Sequence, residues 1–284
     1  MLEELRHLAL VAEHGSFTEA ARRAGLSQPA LSASIARLER GMGARLLHRG
    51  AGGTRLTAAG EALLPRARAA LAAVEDGRRA VAEIAGLRAG EVRLGAGATV
   101  CTYHLPPVLA AFRRDYPGIV LKLREASAPL VLEAVGSGEL DLGLVTAPRG
   151  AGEPWLVEEL LLVAAPDIDA GSAPFVALAP GGTTRELLER HFPSARVVME
   201  LSGIAAVLAF VRAGVGLALV SRIAVAADLA RGTLVEVRQA AAIRRELSIV
   251  HRGVARLSPA AAAVRERLLE GARPPARRGR GRAR

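Results

Sequence analysis

The stretch LSQPALSASIARLE, from Leu26 to Glu39, has the pattern of a helix that is apolar on one side only. Ser27 is a suitable N-cap, and Pro29 fits the first turn because the backbone N–H that it lacks would have no partner there. The apolar positions recur at helical spacing: Leu31, Ile35 and Leu38. The middle turns otherwise carry small side chains: Ser32, Ala33 and Ser34. A helix of this kind is predicted to bury one side and to hold the other close to a second molecule.

A second helix is predicted directly before it, in HGSFTEAARRAGLS. Ser16 and Glu19 have the spacing of a capping box, in which the hydroxyl and the carboxylate satisfy backbone N–H groups at the helix start. Gly25 is a natural end for this helix, since glycine readily adopts the left-handed conformation found after helices. Two helices joined by so short a turn predict a helix-turn-helix.

The chain then continues as MGARLLHRGAGGTRLTAAG, residues 42–60. The glycines lie between the short runs RLL and TRLT, which predicts a β-hairpin. A helix-turn-helix followed by a hairpin is a winged helix-turn-helix, and the second helix of such a unit enters the major groove of DNA.

Residues 60–88 predict a long helix rich in alanine. Its apolar positions follow a roughly heptad spacing with charges between them: Leu63, Ala67, Ala70, Val74, Val81 and Leu87. Such a seam cannot bury itself alone, so it predicts a partner helix. The alternative is that the helix packs against its own domain.

From residue 90 onward, apolar runs with strand character alternate with helical patterns. EVRLGAG predicts a strand, LPPVLAAFRRDYP a helix and IVLKLREA the next strand, and the alternation continues to VGLALVS. WLVEEL and LLLVAAP are predicted as two separate strands. Alternation of this kind predicts a parallel, doubly wound sheet.

Positive charge is concentrated at the two ends of the chain. The 284 residues carry a net charge of +10, of which RPPARRGRGRAR, residues 273–284, contributes six arginines and no acidic residue. A polyanion-binding end attached to a neutral body has this pattern. The tail contains too few apolar residues to fold, so we expect it to be disordered, either as a solubilising extension or as a contact to nucleic acid.

The order and spacing of SFTEAARRAGLSQPALSASIARLERGMGARLLHRG and RLTAAG resemble the winged helix-turn-helix of the LysR-type transcriptional regulators. Further landmarks follow in the order of that family: LPPVLAAFRRDYPG, GELDLGLV, VRAGVGLALVS and LSPAAAAVRERL. The resemblance implies a multidomain α and α/β protein with an effector domain of two Rossmann-like lobes, of the periplasmic-binding-protein type. The implied boundaries are residues 1–58 for the winged helix-turn-helix DNA-binding domain, 59–89 for the linker helix that pairs two protomers, 90–272 for the effector domain and 273–284 for the tail. The lobes are expected at residues 90–159 plus 245–272, and at 160–244.

The resemblance also implies which residues face DNA. The carried-over positions are Ser27, Gln28, Pro29, Ser32, Arg37, Arg49 and Arg55. Gln can read adenine through two hydrogen bonds, and arginines can bind phosphates or enter the minor groove. The alternative for the arginines is that they are solvated surface residues. Position 33 departs from the family, which often has a longer polar residue where this chain has Ala33. Apolar contact with a thymine methyl group, or reliance on the hairpin, is expected to replace the missing contact.

The effector is expected between the lobes, where open α/β sheets bind ligands at the carboxyl ends of their strands. Hydroxyl residues and one arginine mark these turns: Thr99, Thr102, Ser127, Thr146, Thr183, Thr184, Arg185 and Ser202. Helix N-termini with free N–H groups favour anions, so we expect a small anionic metabolite. The alternative, strongest for Thr183 and Ser202, is that the hydroxyls only cap helices. Cys101 lies in the first turn and, without a second cysteine, is expected to be a small buried residue and not a redox sensor.

The sequence contains no pattern typical of catalysis. GAGATV has Val100 where a dinucleotide fingerprint requires its final glycine, and the six histidines lack metal-ligand spacing. We therefore expect no enzyme activity, no cofactor and no metal. A free solute-binding protein would share the α/β body but would lack residues 1–88 and carry a signal peptide.

The expected partners are double-stranded promoter DNA, the effector, RNA polymerase and further copies of the chain, as a homodimer or homotetramer. No apolar run reaches the roughly 18 residues of a membrane span, and no signal peptide is recognised, so we expect a cytoplasmic protein without membrane contact.

Overall fold

The structure is a computed structural model that describes residues 1–50, 53–84, 90–146, 148, 150–239 and 241–272, without the side chains of residues 49, 79–80 and 82–84. The described residues group into two compact units. The first is drawn from residues 1–87 and 133–140, and the second from residues 88–132 and from residue 141 onward. The predicted Arg-rich tail and the last seam position, Leu87, lie outside the described residues.

The helices and strands have the following bounds. The helices are α1 (Leu2–His14), α2 (Phe17–Ala24), α3 (Gln28–Met42), α4 (Ala58–Ile84), α5 (Leu105–Asp115), α6 (Ala128–Ser137), α7 (Thr183–His191), α8 (Ile204–Arg212), α9 (Arg222–Arg231) and α10 (Pro259–Ala272). The strands are β1 (Leu47–Gly50), β2 (Gly53–Leu56), β3 (Gly90–Ala96), β4 (Ile119–Glu125), β5 (Leu142–Val145), β6 (Glu153–Ala164), β7 (Phe175–Leu178), β8 (Val197–Leu201), β9 (Ala218–Ser221), β10 (Val235–Val237) and β11 (Ile243–Val250). One short π-helical segment, Val100–His104, leads into α5.

In the first unit, α1, α2 and α3 pack their apolar sides together. Leu8 and Val11 of α1 join Leu31, Ile35 and Leu38 of α3 in one buried cluster. Each fully buried leucine or isoleucine of this kind stabilises the fold by about 1.5–3 kcal/mol. The predicted apolar stripe of α3 is therefore confirmed.

The predicted helix ends of the first unit are also confirmed. Ser16 accepts a hydrogen bond from the backbone N–H of Glu19 at 3.4 Å, which begins α2. The carboxylate of Glu19 accepts hydrogen bonds from Arg22 and Arg23 instead of completing the predicted capping box. Ser27 accepts one from the N–H of Ala30 at 3.3 Å, which begins α3. Gly25 has a φ of 66° and ends α2 in the left-handed conformation that glycine adopts without strain.

The predicted hairpin is formed by β1 and β2, which pair antiparallel. Oε1 of Glu39, near the end of α3, accepts hydrogen bonds from the backbone N–H of Leu46 at 2.8 Å and of Leu47 at 3.3 Å. At the start of α4, a Cβ on Gly60 would lie 2.2 Å from the carbonyl oxygen of Leu46, so only glycine allows this approach. A carboxylate on α3 thus fixes the chain at the base of the hairpin.

The predicted long helix is α4, and its apolar seam is covered only in part. Ala67 is buried, and Leu63 and Ala70 are half-buried against the cluster of the first unit. Val74 and Val81 remain 39% and 68% exposed. The two readings of the seam therefore each describe one part of it, since the early positions pack within the unit and the later ones face solvent.

The second unit is built around a mixed sheet with the strand order β10-β6-β11-β5-β3-β4, in which β9 also pairs with β6. β3 runs parallel to β4 and β5, and β7 runs parallel to β8 in a separate pair. The strands β9, β10 and β11 run antiparallel to β6, and β11 also runs antiparallel to β5.

The prediction of an entirely parallel sheet is thus wrong for β6 and β11. Parallel neighbours need a crossover of a dozen or more residues. β5 and β6 are separated only by residues 146–152, and β10 and β11 only by residues 238–242. WLVEEL and LLLVAAP also form one continuous strand, β6, instead of the predicted two.

The long strands β6 and β11 contribute to separate buried clusters. Trp155 of β6 and Ile249 of β11 pack with β3, β5, α5 and α10. Leu161 and Val163 of β6 pack instead with α8, β9 and α9. The division into lobes near residues 160 and 245, like the other domain boundaries, stays a prediction. Among the described residues, no helix combines the length and the apolar character that crossing a membrane requires.

Candidate functional site

The solvent-facing side of α3 is smooth over its first turns, because the side chains there are short or lie along the helix. Gln28, Pro29 and Ala33 are exposed, and Ser32 is half-buried. Nε2 of Gln28 donates a hydrogen bond to Oγ of Ser32 at 3.3 Å, so the amide lies along the first turn. Ser27 is exposed beside them while its hydroxyl caps the helix. The structure thus brings four of the predicted DNA-facing residues together at the start of one helix.

Ser34 has a different role from its small neighbours. It is buried, and its Oγ is hydrogen-bonded to Nδ1 of His7 at 2.7 Å. Burial lowers the pKa of His7, against the opposing effect of nearby Glu3 and Glu4. The small side chain at position 34 is therefore explained by packing within the unit, which the sequence did not reveal because the partner lies 27 residues away.

The predicted arginines differ in their surroundings. Arg55 is exposed on β2. Nε of Arg37 lies 3.4 Å from Oε1 of Glu4, an exposed ion pair of the kind that contributes little to stability. The side chain of Arg49 lies outside the described residues. Both described arginines thus lie at the protein surface.

A cavity of about 280 Å³ lies in the second unit, where β3, β4, β5, β7 and β8 end. Six of the predicted effector residues line it: Thr99, Ser127, Thr146, Thr183, Thr184 and Ser202. Thr102 and Arg185 are not part of the lining. This volume lies close to the lower end of the range for ligand pockets, roughly 300–1,000 Å³.

Two helices begin in the wall of the cavity. Ala128 begins α6 and Thr183 begins α7. The N-cap of α7 is Gly182, without a side-chain hydrogen bond, so the hydroxyl of Thr183 does not cap its helix. The alternative reading of Ser202 as a cap also fails, because Gly203 is the N-cap of α8. Free N–H groups at helix starts attract anions.

Arg185 was predicted to add positive charge to the cavity, but its guanidinium is paired with two glutamates outside the lining. Nε of Arg185 pairs with Oε1 of Glu189 at 2.7 Å, and Nη1 pairs with Oε1 of Glu200 at 2.6 Å. Glu200 belongs to β8, fifteen residues further along the chain, so this pairing could not be read from local sequence. Thr102 is exposed, on the π-helical segment.

The cation of the described cavity lining is Arg245 of β11, which was not predicted from the sequence. Its side chain is only 8% exposed. Nε pairs with Oε2 of Glu158 on β6, and Nη1 donates to Oγ1 of Thr184 at 2.9 Å. The one available signal was the alternation along β11, which puts Arg245 on the same buried side as Ile243 and Leu247.

Glu158 connects several elements beneath the cavity. Besides Arg245, it accepts hydrogen bonds from Oγ of Ser221 and, at 2.9 Å, from Nε2 of His104. Burial raises the pKa of Glu158, but the hydrogen bond from His104 and the charge of Arg245 outweigh burial, so the pKa falls to about 2. Glu158 is therefore ionised at neutral pH and balances the charge of Arg245.

Cys101 lies next to the cavity wall and is half-buried. Its thiol donates a weak hydrogen bond to the carbonyl oxygen of Ala96 at 3.5 Å. Burial, together with the negative charge of Glu125, raises the pKa of the thiol to about 11. The thiol is protonated at neutral pH, whereas reactive cysteines have a lowered pKa.

Two family models match the chain. The model described as "Bacterial regulatory helix-turn-helix protein, lysR family" matches residues 2–61, and the model described as "LysR substrate binding domain" matches residues 85–273. Together they span the helix-turn-helix with its hairpin and the unit that contains the cavity.

Individual proteins agree with these matches. The HTH-type transcriptional regulator CbbR of Rhodospirillum rubrum is 33% identical over 282 residues, which cover 93% of this chain and 94% of CbbR. The HTH-type transcriptional regulator YeiE of Escherichia coli K12 is 32% identical over 254 residues, covering 83% and 85%. The crystal structure of ArgP from Mycobacterium tuberculosis has the same fold, with a TM-score of 0.71, 23% identity and coverage of 95% and 96%.

Proposed function

Because the chain belongs to the family of LysR-type transcriptional regulators, we propose that it binds promoter DNA through α3 and the β1–β2 hairpin, and that a small anionic metabolite in the cavity modulates promoter binding or activation. The observation that carries this proposal is the presence of both a DNA-binding helix-turn-helix and a substrate-binding domain in one chain. Members of this family are regulators and not enzymes, and we extend this to the present chain.

The DNA-binding role is supported by the two sides of α3. One side is fixed by the buried stripe of Leu31, Ile35 and Leu38, so the helix can be pressed against DNA without deforming. The other side carries short side chains around Gln28, which allows a close approach to base edges. Arg37 and Arg55 supply exposed positive charge for phosphates.

The nature of the effector is inferred from the cavity wall. Hydroxyl groups, the helix starts at Ala128 and Thr183, and the guanidinium of Arg245 are all hydrogen-bond donors. Donors and helix N-termini favour a negatively charged group. A volume of about 280 Å³ favours a compact metabolite.

Oligomerisation follows in this proposal from the exposed part of the α4 seam. Val74 and Val81 face solvent in one chain, and a second α4 from another copy would cover them in the manner of a coiled coil. A homodimer or homotetramer would then bind two half-sites of the promoter DNA. RNA polymerase is proposed as a further partner. The proposed location is the cytoplasm, where the DNA is.

Regulation requires that the effector distinguish two arrangements of the protein. A ligand shifts an equilibrium only by its difference in affinity for the two states. We infer that the anion favours one arrangement of the elements around the cavity, and that this arrangement binds or bends promoter DNA differently.

A gel-shift experiment with the DNA upstream of the protein's own gene tests the DNA-binding role. The double variant Gln28→Ala/Ser32→Ala of the full chain is expected to lose about tenfold or more in specific affinity, since a good base contact is worth 1–3 kcal/mol. Glu13→Ala, an exposed position on α1, is the matched control and should bind as the wild type does. Equal and non-specific binding by all three proteins would make the proposal wrong.

A further inference from the structure

We propose that Arg245 is the residue that binds the acidic group of the effector, and that Glu158 limits the affinity for that group by holding the same guanidinium. This inference rests on the proposed function, because it concerns the ligand of the same cavity. It names the ligand class as compact molecules that carry one oxyanion, such as a carboxylate or an inorganic oxyanion.

The guanidinium of Arg245 has donors left for a ligand. It is buried in the cavity wall, where Nε donates a hydrogen bond to Glu158 and Nη1 donates one to Thr184. Nη2 makes no hydrogen bond to the described part of the chain. A guanidinium carries five N–H donors in a planar fork that matches the two oxygens of an oxyanion. Because Arg245 lines the cavity, an oxyanion there would accept hydrogen bonds from these remaining donors.

Thr184 provides a second donor at the same place. Its Oγ1 accepts the hydrogen bond from Arg245, so its own hydroxyl hydrogen stays available. Thr184 is buried and lies in the first turn of α7, and the backbone N–H groups of Thr183 and Thr184 are at the free end of that helix. An oxyanion beside Arg245 would therefore meet a guanidinium, a hydroxyl and a helix N-terminus together.

The counter-ion sets how strongly this site attracts an anion. Glu158 neutralises Arg245 before any ligand arrives, so the binding energy must come from directed hydrogen bonds more than from net charge. Glu125, the acidic side chain of the described lining, is exposed and lies at the end of β4. Its charge opposes a second acidic group on the ligand, so a single oxyanion fits better than two.

Thermal unfolding of the full-length protein tests this assignment with two probes, sodium acetate and sodium sulfate, each compared with sodium chloride at the same ionic strength. For the wild type we expect at least one probe to raise the Tm by about 3–6 °C near ten times its Kd. Arg185→Gln is the matched control, because Arg185 carries the same charge close to the cavity but is held by Glu189 and Glu200. It should keep the rise.

Removing Arg245 alone leaves Glu158 buried without its cation, which is strongly destabilising. The informative variant is therefore Glu158→Gln/Arg245→Gln, in which both charges are gone. It is expected to fold and to lose the rise in Tm. Glu158→Gln alone frees the guanidinium, and we expect its Kd for the same probe to fall about tenfold or more.

The outcomes separate the two proposals. If the double variant keeps the wild-type rise, or if Glu158→Gln binds the probe more weakly, the assignment of Arg245 is wrong while an anionic effector remains supported. If neither probe raises the Tm of the wild type beyond chloride, the assignment is wrong together with the anionic character of the effector. DNA binding in the gel shift is independent of either result.

Discussion

Nδ1 of His7 and Oγ of Ser34 are hydrogen-bonded at 2.7 Å inside the core that holds α1 against α3. Both side chains are buried, and burial is the main cause that lowers the pKa of His7 below its ordinary value of 6.5. The orientation of α3, and with it the surface that we propose to face DNA, therefore depends on a histidine that is neutral when folded.

This pair predicts that acid weakens the first unit. The unfolded chain takes up a proton near pH 6.5, whereas the folded chain resists protonation of His7, so this contribution to stability is complete above pH 6.5 and falls as the pH drops below it. The Tm should be lower at about pH 5.5 than at about pH 7.5, and the difference should shrink in His7→Gln. The same pH dependence in wild type and His7→Gln would contradict this prediction.

We predict that an arginine at position 33 strengthens the electrostatic binding of DNA. It is exposed on the smooth side of α3, where Ala33→Arg would add one phosphate contact. Non-specific DNA affinity should rise, and the slope of log K against log salt should steepen by about one unit. Ala62→Arg adds the same charge at an exposed position of α4 and should leave the slope nearly unchanged. Equal slopes for both variants would place Ala33 away from DNA.

We predict that a charge at position 81 of α4 weakens oligomerisation. It is 68% exposed on α4, so Val81→Asp should leave the fold of one chain intact while it places a charge in the seam. Sedimentation should show a lower mass for this variant at concentrations where the wild type is oligomeric. Val254→Asp introduces the same charge at an exposed valine of the second unit and serves as the control. An unchanged mass for Val81→Asp would exclude the α4 seam from the interface.

Cys101 predicts slow alkylation. With a pKa of about 11, the thiol is almost entirely protonated at pH 7.5, and iodoacetamide reacts with the thiolate. The native protein should be alkylated at least about a hundredfold more slowly than free cysteine, whose pKa is near 8.5. Mass spectrometry follows the reaction, and addition of urea should restore the ordinary rate. Rapid alkylation of the native protein would indicate an activated thiol.

The parts of the structure that depend on local pattern could be predicted from the sequence. The stripe of Leu31, Ile35 and Leu38 follows from the helical period, and the caps at Ser16 and Ser27 follow from residue type and position. These features involve residues a few positions apart, so the sequence alone contains the information.

The parts that depend on distant partners could not be predicted. Arg185 and Arg245 are both arginines in the second unit, but Glu200 holds the first outside the cavity lining while Glu158, 87 residues away, holds the second within it. Only the fold decides which arginine reaches the cavity. The antiparallel course of β11 was missed for the same reason, since strand direction is set by pairing and not by composition.

Sequence-specific DNA binding is tested most directly by comparing two affinities at one salt concentration. Fluorescence anisotropy of the full-length protein would be measured with DNA from upstream of its own gene and with a scrambled sequence of equal length and composition. We predict that the upstream DNA binds at least about a thousandfold more tightly, the lower end for sequence-specific regulators. Equal affinities for the two DNAs would contradict the central claim that this chain is a regulator that reads its own promoter region.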